Sequence, residues 1–311
     1  MRVLPGMGHE VSSLDLLGGP YVTHVGSIGD RDFVRRCLAG VDGVLHTATL
    51  HKPHVATHPK AAFVATNVAG TLVLLEEAAR AGVGRFVFSS TTSAFGDALS
   101  PPRGAPAAWI DETVTPVPKN IYGVTKTAAE DLCMLFAREG RMNVVVLRTS
   151  RFFPEPDDTA EVRDRYDDVN VKANEFLFRR VDVEDAAMAH ERALVRAPDI
   201  GFGRYVISAA TPFVRGDLAA LRSDPAGVVE ARHPGFREVY DRIGFRMFSD
   251  IDRVYDCARA RADLGWAPKH DFGSVLRQLA AGQPIGSGLA AEVGAKGYHR
   301  ADHPGGRYPF A

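Results

Sequence analysis

Residues 122–147 read YGVTKTAAEDLCMLFAREGRMNVVVL, and they decide the fold class. Tyr122 to Glu139 reads as a helix and Asn143 to Leu147 as a strand. The strand is wholly apolar after Asn143, as a strand is when both of its faces are buried. The same alternation runs upstream. Arg85 to Ser89 is a strand, and Ala61 to Ala81 is a long helix with Val64, Val68, Leu72, Leu75 and Ala79 at helical spacing. Gly43 to His46 is a strand, Asp32 to Leu38 a short helix, and Val11 to Leu17 a strand. Strands alternating with helices predict an α/β fold with a doubly wound parallel sheet covered on both faces.

Past residue 150 the rhythm breaks. Phe153 to Asp168 is acidic and irregular, Val183 to Leu194 reads as a helix, Arg204 to Ser208 as a strand, and Asp217 to Leu221 as a helix. The expected organisation is a first domain over 1–150, to which late strands from about 180–210 return, and a smaller substrate-binding part with a Gly-rich tail over 151–311.

The chain has 311 residues, 45% hydrophobic and 24% charged. That length suits one large domain or two unequal ones with a sizeable core. Lys+Arg 37 against Asp+Glu 38 excludes a generally basic nucleic-acid binder. Cys37, Cys133 and Cys257 are odd in number and far apart, which points to a reducing cytoplasm rather than a disulfide framework. No unbroken apolar run reaches the roughly 18 residues of a membrane span, and the N-terminus has no signal-peptide core. The expectation is a cytoplasmic protein with no membrane or nucleic-acid partner.

Tyr122-Gly-Val-Thr-Lys126 carries the chemistry. The i, i+4 spacing puts a phenol and an ammonium on one helix face. A nearby cation favours phenolate and draws the tyrosine pKa toward neutral. Such a tyrosine takes a proton from a hydroxyl, or gives one to a carbonyl oxygen, during hydride transfer. The plainer reading is an exposed tyrosine beside a solvated lysine. Upstream, Phe86-Val-Phe-Ser-Ser-Thr-Thr-Ser-Ala-Phe-Gly96 is a strand with a hydroxyl-rich end. Carboxyl ends of strands form the ligand crevice of open α/β sheets, and a hydroxyl there aligns a substrate oxygen with Tyr122.

These residues resemble the extended short-chain dehydrogenase/reductase family, in its NAD-dependent epimerase/dehydratase branch. His46-Thr-Ala-Thr49, Asn67-Val-Ala-Gly-Thr71, Phe88-Ser-Ser-Thr91, Tyr122-Lys126, Leu147-Arg148 and Leu264-Gly265-Trp266 match in the family's order. The resemblance implies a Rossmann-like sheet, NAD rather than NADP, and a nucleotide-sugar substrate. It implies Thr91, Tyr122 and Lys126 as catalytic residues, and a homodimer through the helix bearing Tyr122. It places Asp15, Ser27, Ile28, Thr47, Ala48, His51, Asn67 and Phe152 at the cofactor, with Tyr122 and Lys126. It places Thr92, Arg151, Arg246 and Arg253 at the substrate. Thr92 and Ser93 stand where dehydratases carry a carboxylate pair, so dehydration is disfavoured. A reductase of a non-sugar carbonyl and a non-catalytic binding protein are the alternatives.

The family's opening strand, GxxGxxG turn and helix are missing. Only five residues separate Leu4 from Glu10, where a parallel crossover needs about a dozen or more. Ser27 in Gly26-Ser-Ile-Gly-Asp30 replaces the aspartate that contacts adenine. Without that first strand, two strands lose their shared neighbour. Three explanations stand: an incomplete form of a longer enzyme, a natural chain that has lost NAD binding, or a rearranged fold that still binds a nucleotide. His46, His51, His54 and His58 invite a metal reading, but no Cys or carboxylate accompanies them. No metal is expected, and the stretch reads as a polar loop with His54 or Lys52 facing substrate. Arg246 and Arg253 suit a diphosphate, or else make surface ion pairs.

Overall fold

The computed structural model describes residues 1–157 and 159–295. The elements begin with β1 (Leu14–Asp15), β2 (His24–Val25), α1 (Arg31–Cys37), β3 (Gly43–His46), α2 (Lys60–Phe63), α3 (Thr71–Arg80) and β4 (Arg85–Thr91). They continue with β5 (Ala108–Ile110), α4 (Ile121–Arg138), β6 (Asn143–Thr149), α5 (Ala160–Arg165), α6 (Asp168–Glu175), α7 (Val183–Ile200) and β7 (Phe202–Ile207). The last are α8 (Pro225–Arg232), α9 (Phe236–Ile243), β8 (Arg253–Tyr255), α10 (Ala258–Leu264), α11 (Phe272–Ala280) and α12 (Gly288–Val293). The chain divides into two compact units. The first is Met1–Ala94, Pro118–Arg148 and Ala187–Tyr205; the second is Phe95–Val117, Thr149–Ala186 and Val206 onward.

The first unit is built on a four-stranded parallel sheet in the order β3-β4-β6-β7. β3 and β4 pair from Gly43↔Arg85 to His46↔Phe88. Phe86, Phe88, Val144 and Val146 bury their side chains against Leu74 and Leu75 of α3 and Ala129 and Cys133 of α4. The α/β class and parallel sheet expected from the strand–helix alternation are therefore present. β1 and β2 form a separate parallel pair, Leu14↔His24 and Asp15↔Val25. Among the described residues β3 is an edge of the four-stranded sheet, and the strand expected over Val11–Leu17 is two residues long, Leu14–Asp15.

Lys60–Arg80 is long and apolar enough, at mean hydropathy 1.3, to span a bilayer by those two measures. It runs from α2 through a π-helical stretch, Val64–Gly70, into α3, and its buried residues include Phe63, Asn67, Gly70, Leu74 and Leu75. The stretch winds close to Ile28, where a Cβ on Gly70 would lie 2.8 Å from the Ile28 side chain.

The second unit holds a two-stranded parallel sheet, β5 with β8, from Ala108↔Arg253 to Ile110↔Tyr255. Phe176, Leu177, Leu221, Phe236, Tyr240 and Phe272 form its main core. The Leu264-Gly265-Trp266 motif is a helix stop: Gly265, at φ 61°, ends α10 in the left-handed region. Trp266 Nε1 then donates to the Asp185 carbonyl at 3.0 Å. The helix expected over Asp217–Leu221 is two short 3₁₀ turns, Arg215–Asp217 and Ala220–Arg222. Asp217 accepts the Val214 N–H at 2.9 Å, a local bond that competes with helix continuation. Ser287 anchors the start of the C-terminal tail by donating to Asp182 at 2.6 Å. Residues 296–311 of that tail, including Tyr298 and His299, lie outside the described residues.

Candidate active site

β4 and α4 place the central residues of the first unit. Asn120 caps α4, its side chain accepting the Gly123 N–H at 3.1 Å. A Cβ on Gly123 would sit 3.0 Å from the Ser93 carbonyl oxygen, so glycine lets the first turn of α4 lie this close to the backbone after β4 without crowding it. Tyr122 is thereby held 3% exposed, with its hydroxyl hydrogen-bonded to Thr91 at the end of β4. Thr91 Oγ also accepts the Ser93 N–H at 3.1 Å. Thr92 follows at the start of a 3₁₀ turn and is buried.

Lys126 lies one turn on, 1% exposed. Its Nζ donates to the Ser89 carbonyl at 2.6 Å and sits 4.0 Å from the centre of the Phe88 ring. This corrects the expectation of a lysine-acidified phenol. Burial raises the Tyr122 pKa, and the opposing influence is the Thr91 hydrogen bond. Burial also lowers the Lys126 pKa to about 7.

Asn67 is buried in the π-helical stretch, a backbone form frequent at functional sites. Its amide accepts the Leu50 N–H at 2.8 Å, donates to the Leu50 carbonyl at 3.0 Å and donates to Thr125 Oγ at 3.0 Å. Leu50 is thus clamped against α4, and the next residue, His51, brings its ring to 5.1 Å from the Tyr122 ring. His46 is buried against Phe86 and Phe88, and burial drops its pKa to about 3. Its Nε2 is 2.8 Å from Thr71 Oγ, so it is a neutral core histidine.

The remaining cofactor candidates make local contacts. Asp15 is exposed and accepts the Leu17 N–H at 2.9 Å; Ser27 accepts the Gly29 N–H at 3.1 Å. Both close local turns. Ile28 is buried against Gly70, Thr47 is exposed and Ala48 half-buried. In the second unit, Phe152 stacks on Phe153 at 4.2 Å. There, Arg151 bonds Asp157 at 2.5 Å and Glu175 at 3.2 Å, Arg253 lies 3.3 Å from Asp252, and Arg246 donates to the Arg165 carbonyl beside Tyr166.

Two buried networks were not foreseen from the sequence. Glu130 accepts from Ser90 at 2.6 Å and from Arg148 at 2.8 Å, bracing the ends of β4 and β6 in the first unit. Glu175 in the second unit is shared by Arg151, Arg179 and Arg180. Glu130 stands four residues after Lys126 on the same face of α4, the one signal that could have found it.

The sequence model of the NAD-dependent epimerase/dehydratase family matches residues 2–175. The chain belongs to this family. It is 31% identical to a dTDP-glucose 4,6-dehydratase of Streptomyces antibioticus, over 81% of this chain and 73% of that one. It is 28% identical to a UDP-glucose 4-epimerase of Rhizobium leguminosarum bv. trifolii, covering 81% of each. A short-chain dehydrogenase/reductase superfamily protein of Agrobacterium tumefaciens, solved with bound NAD, shares the fold at TM-score 0.63 and 21% identity, over 90% of this chain and 91% of that one.

NAD is the cofactor that membership in the epimerase/dehydratase family brings. The donor set fits its reacting end: two hydrogen-bonded hydroxyls, Thr91 and Tyr122, with an amine one helical turn away. The diphosphate end is different. Gly6 and Gly8 belong to a four-residue 3₁₀ turn and its cap, Leu4–Met7 and Gly8, which offers no row of helix N-terminal amides. Among the described residues the glycine-rich strand-to-helix turn has no counterpart.

Lys126 makes a testable mark on stability. An unfolded chain protonates this amine below about pH 10.4, the folded one only below about 7. The unfolded state therefore binds more protons between those values, and stability rises with pH there. The melting-temperature difference between wild type and Lys126→Met is expected to move in favour of wild type from pH 7 to pH 10 and to stay level below 7. A pH-independent difference would show that the amine is not desolvated.

Proposed function

We propose that this chain catalyses NAD-dependent hydride transfer at a carbinol carbon of a nucleotide sugar. The observation that carries the proposal is the buried Thr91–Tyr122 hydroxyl pair, with Lys126 and Asn67 around it. When bound, NAD supplies the hydride acceptor. Tyr122 takes the hydroxyl proton of the substrate as the carbon–oxygen double bond forms, and returns it in the reverse direction. Thr91 hydrogen-bonds the phenol oxygen and favours its ionised form against the effect of burial. Asn67 fixes the Leu50–His51 backbone against α4, which preserves the shape of the site. The sugar-nucleotide assignment draws on the dTDP-glucose and UDP-glucose relatives. Dehydration is disfavoured, because Thr92 and Ser93 supply no carboxylate for it.

A second reading has one observation behind it. Arg151, bound into the Asp157–Glu175 network, stands where epimerases tend to carry an asparagine amide, which favours a non-sugar carbonyl substrate. One experiment addresses both: UDP- and dTDP-sugars and small carbonyl compounds are tested for thermal shift and for NAD reduction or NADH oxidation. The proposal expects a shift and turnover with a nucleotide sugar. A response confined to small carbonyls would replace it with the second reading.

A further inference from the structure

The pairing of β4 with β3 ends at His46↔Phe88, yet β4 runs on to Thr91. The candidate site is built on that extension. Lys126 donates to the Ser89 carbonyl at 2.6 Å, and the Tyr122 hydroxyl bonds Thr91. A slip of one residue in this segment would turn each of its side chains to the opposite face and break both contacts.

Ser90, the residue between Ser89 and Thr91, is 6% exposed and donates to Glu130 Oε1 at 2.6 Å. Glu130 is buried on α4, one helical turn past Lys126. Arg148 of β6, also buried, takes both carboxylate oxygens, with Nε 3.1 Å from Oε1 and Nη2 2.8 Å from Oε2. Arg204 of β7 brings its Nε to 3.2 Å from Oε2. A buried ion pair of this kind is a weak source of stability, because desolvation offsets the attraction, and its best-attested use is to fix register. The two-pronged arginine contact fixes the plane of the carboxylate, and with it the direction from which Oε1 meets Ser90.

We propose that Glu130 is a positioning residue of the candidate site: by gripping Ser90 from α4, it sets the register of Ser89–Thr91 in which the Ser89 carbonyl meets Lys126 and the Thr91 hydroxyl meets Tyr122. One helix then carries the phenol, the amine and the clamp that aligns the strand against them. Its charge has a second effect. Burial drives Lys126 toward the neutral amine, and Glu130 is the main opposing influence, ahead of Cys133 on the same helix. The other ionisable groups around them are His46, which feels the Lys126 charge, and Arg148 and Arg204, which share the carboxylate. The clamp stands on this geometry, and its effect on turnover rests on the hydride-transfer reading above.

Ser90→Ala removes the grip and leaves the Glu130–Arg148 pair in place. Amide hydrogen exchange is expected to quicken at least tenfold across Ser89–Ser93 and to keep wild-type rates at Phe86–Phe88. With a nucleotide sugar and NAD, kcat is expected to fall about tenfold with KM within about twofold. Ser90→Thr restores the hydroxyl and is expected to recover both. Glu130→Gln keeps an oxygen for Ser90 and removes the charge. Carbon NMR of the lysine ε-methylenes, with Lys126 assigned from Lys126→Met, is expected to show its midpoint falling from about 7. Asp131→Asn is the control: this neighbour is 70% exposed, pairs with Arg204, and is expected to change neither exchange nor turnover. Wild-type exchange across Ser89–Ser93 in Ser90→Ala overturns the clamp, and so does exchange that quickens equally along all of β4, which is a general loss of stability. Quickened local exchange with wild-type kcat, with a change in KM alone, or with a loss that Ser90→Thr does not restore also overturns it. An unmoved Lys126 midpoint in Glu130→Gln removes the charge effect. Full turnover by Tyr122→Phe, or none by wild type, defeats the hydride-transfer reading instead, and the exchange rates then decide the clamp without it.

Discussion

Glu175→Gln is expected to destabilise the second unit by about 3–5 kcal/mol, roughly a 10 °C fall in its melting temperature. The carboxylate is 0% exposed and is approached by Arg180 at 2.8 Å, Arg179 at 2.9 Å and Arg151 at 3.2 Å. Burial works to raise its pKa, but Arg180, Arg179 and Arg151 together reverse that and hold it down to about 2. Glutamine keeps the shape and removes the charge, leaving three guanidiniums close together, two of them paired with Asp157. The pH dependence has a definite sign. With a folded pKa near 2 against an ordinary 4.5, the contribution of Glu175 is complete above about pH 4.5 and is lost as pH falls toward 2. Its size is about 3 kcal/mol. Acid unfolding of wild type should therefore steepen below pH 4.5, and the gap between wild type and Glu175→Gln should narrow there. Asp168→Asn is the control. It breaks the ion pair with Lys172 on the same helix, but Asp168 is 43% exposed and the loss should stay within about 1 kcal/mol. Equal losses from both variants would mean that the buried network contributes no more than a surface pair.

The contrast between these two carboxylates explains what could be read in the sequence. α3, α4, β4 and β6 were legible because their apolar residues repeat at the period of the element, and such repeats survive in a linear string. Glu130 and Glu175 are charged letters among other charged letters. Only the fold reveals that arginines from distant positions converge on them. The Thr91–Tyr122 pairing was legible because both residues sit at element ends, where topology leaves few arrangements. The direction of Lys126 was not, since it depends on which acceptor a long flexible side chain finds once buried, here a carbonyl 37 residues away. His51 is a residue that the family resemblance alone singled out in the sequence. Its place beside Tyr122 depends on Asn67, which bridges 17 residues in one direction and 58 in the other. The brevity of β1 has the same origin in long-range structure: a strand's length is set by the strands it pairs with, which local propensity does not report.

Tyr122→Phe is expected to cut turnover about 10²–10⁴-fold while leaving the fold intact, because the ring fills the same space and only the proton donor is removed. Thr91→Ala tests how the pair works. In this structure the threonine hydroxyl bonds the phenol and opposes the rise in its pKa that burial causes. Removing it should raise that pKa further, so the limb of the pH profile that reports phenol ionisation should move to higher pH. The double variant then decides between two roles. If Thr91 acts through Tyr122, removing it from the Tyr122→Phe enzyme costs little more, because the bond it served is already gone. If Thr91 holds the substrate oxygen directly, the two losses multiply. The hydrogen bond predicts the first result, a double variant about as slow as Tyr122→Phe alone. Multiplying losses with an unshifted pH profile would move Thr91 from the tyrosine to the substrate, and the acidity of the phenol would then have to come from elsewhere, with Lys126, one helical turn on, turned away from Ser89.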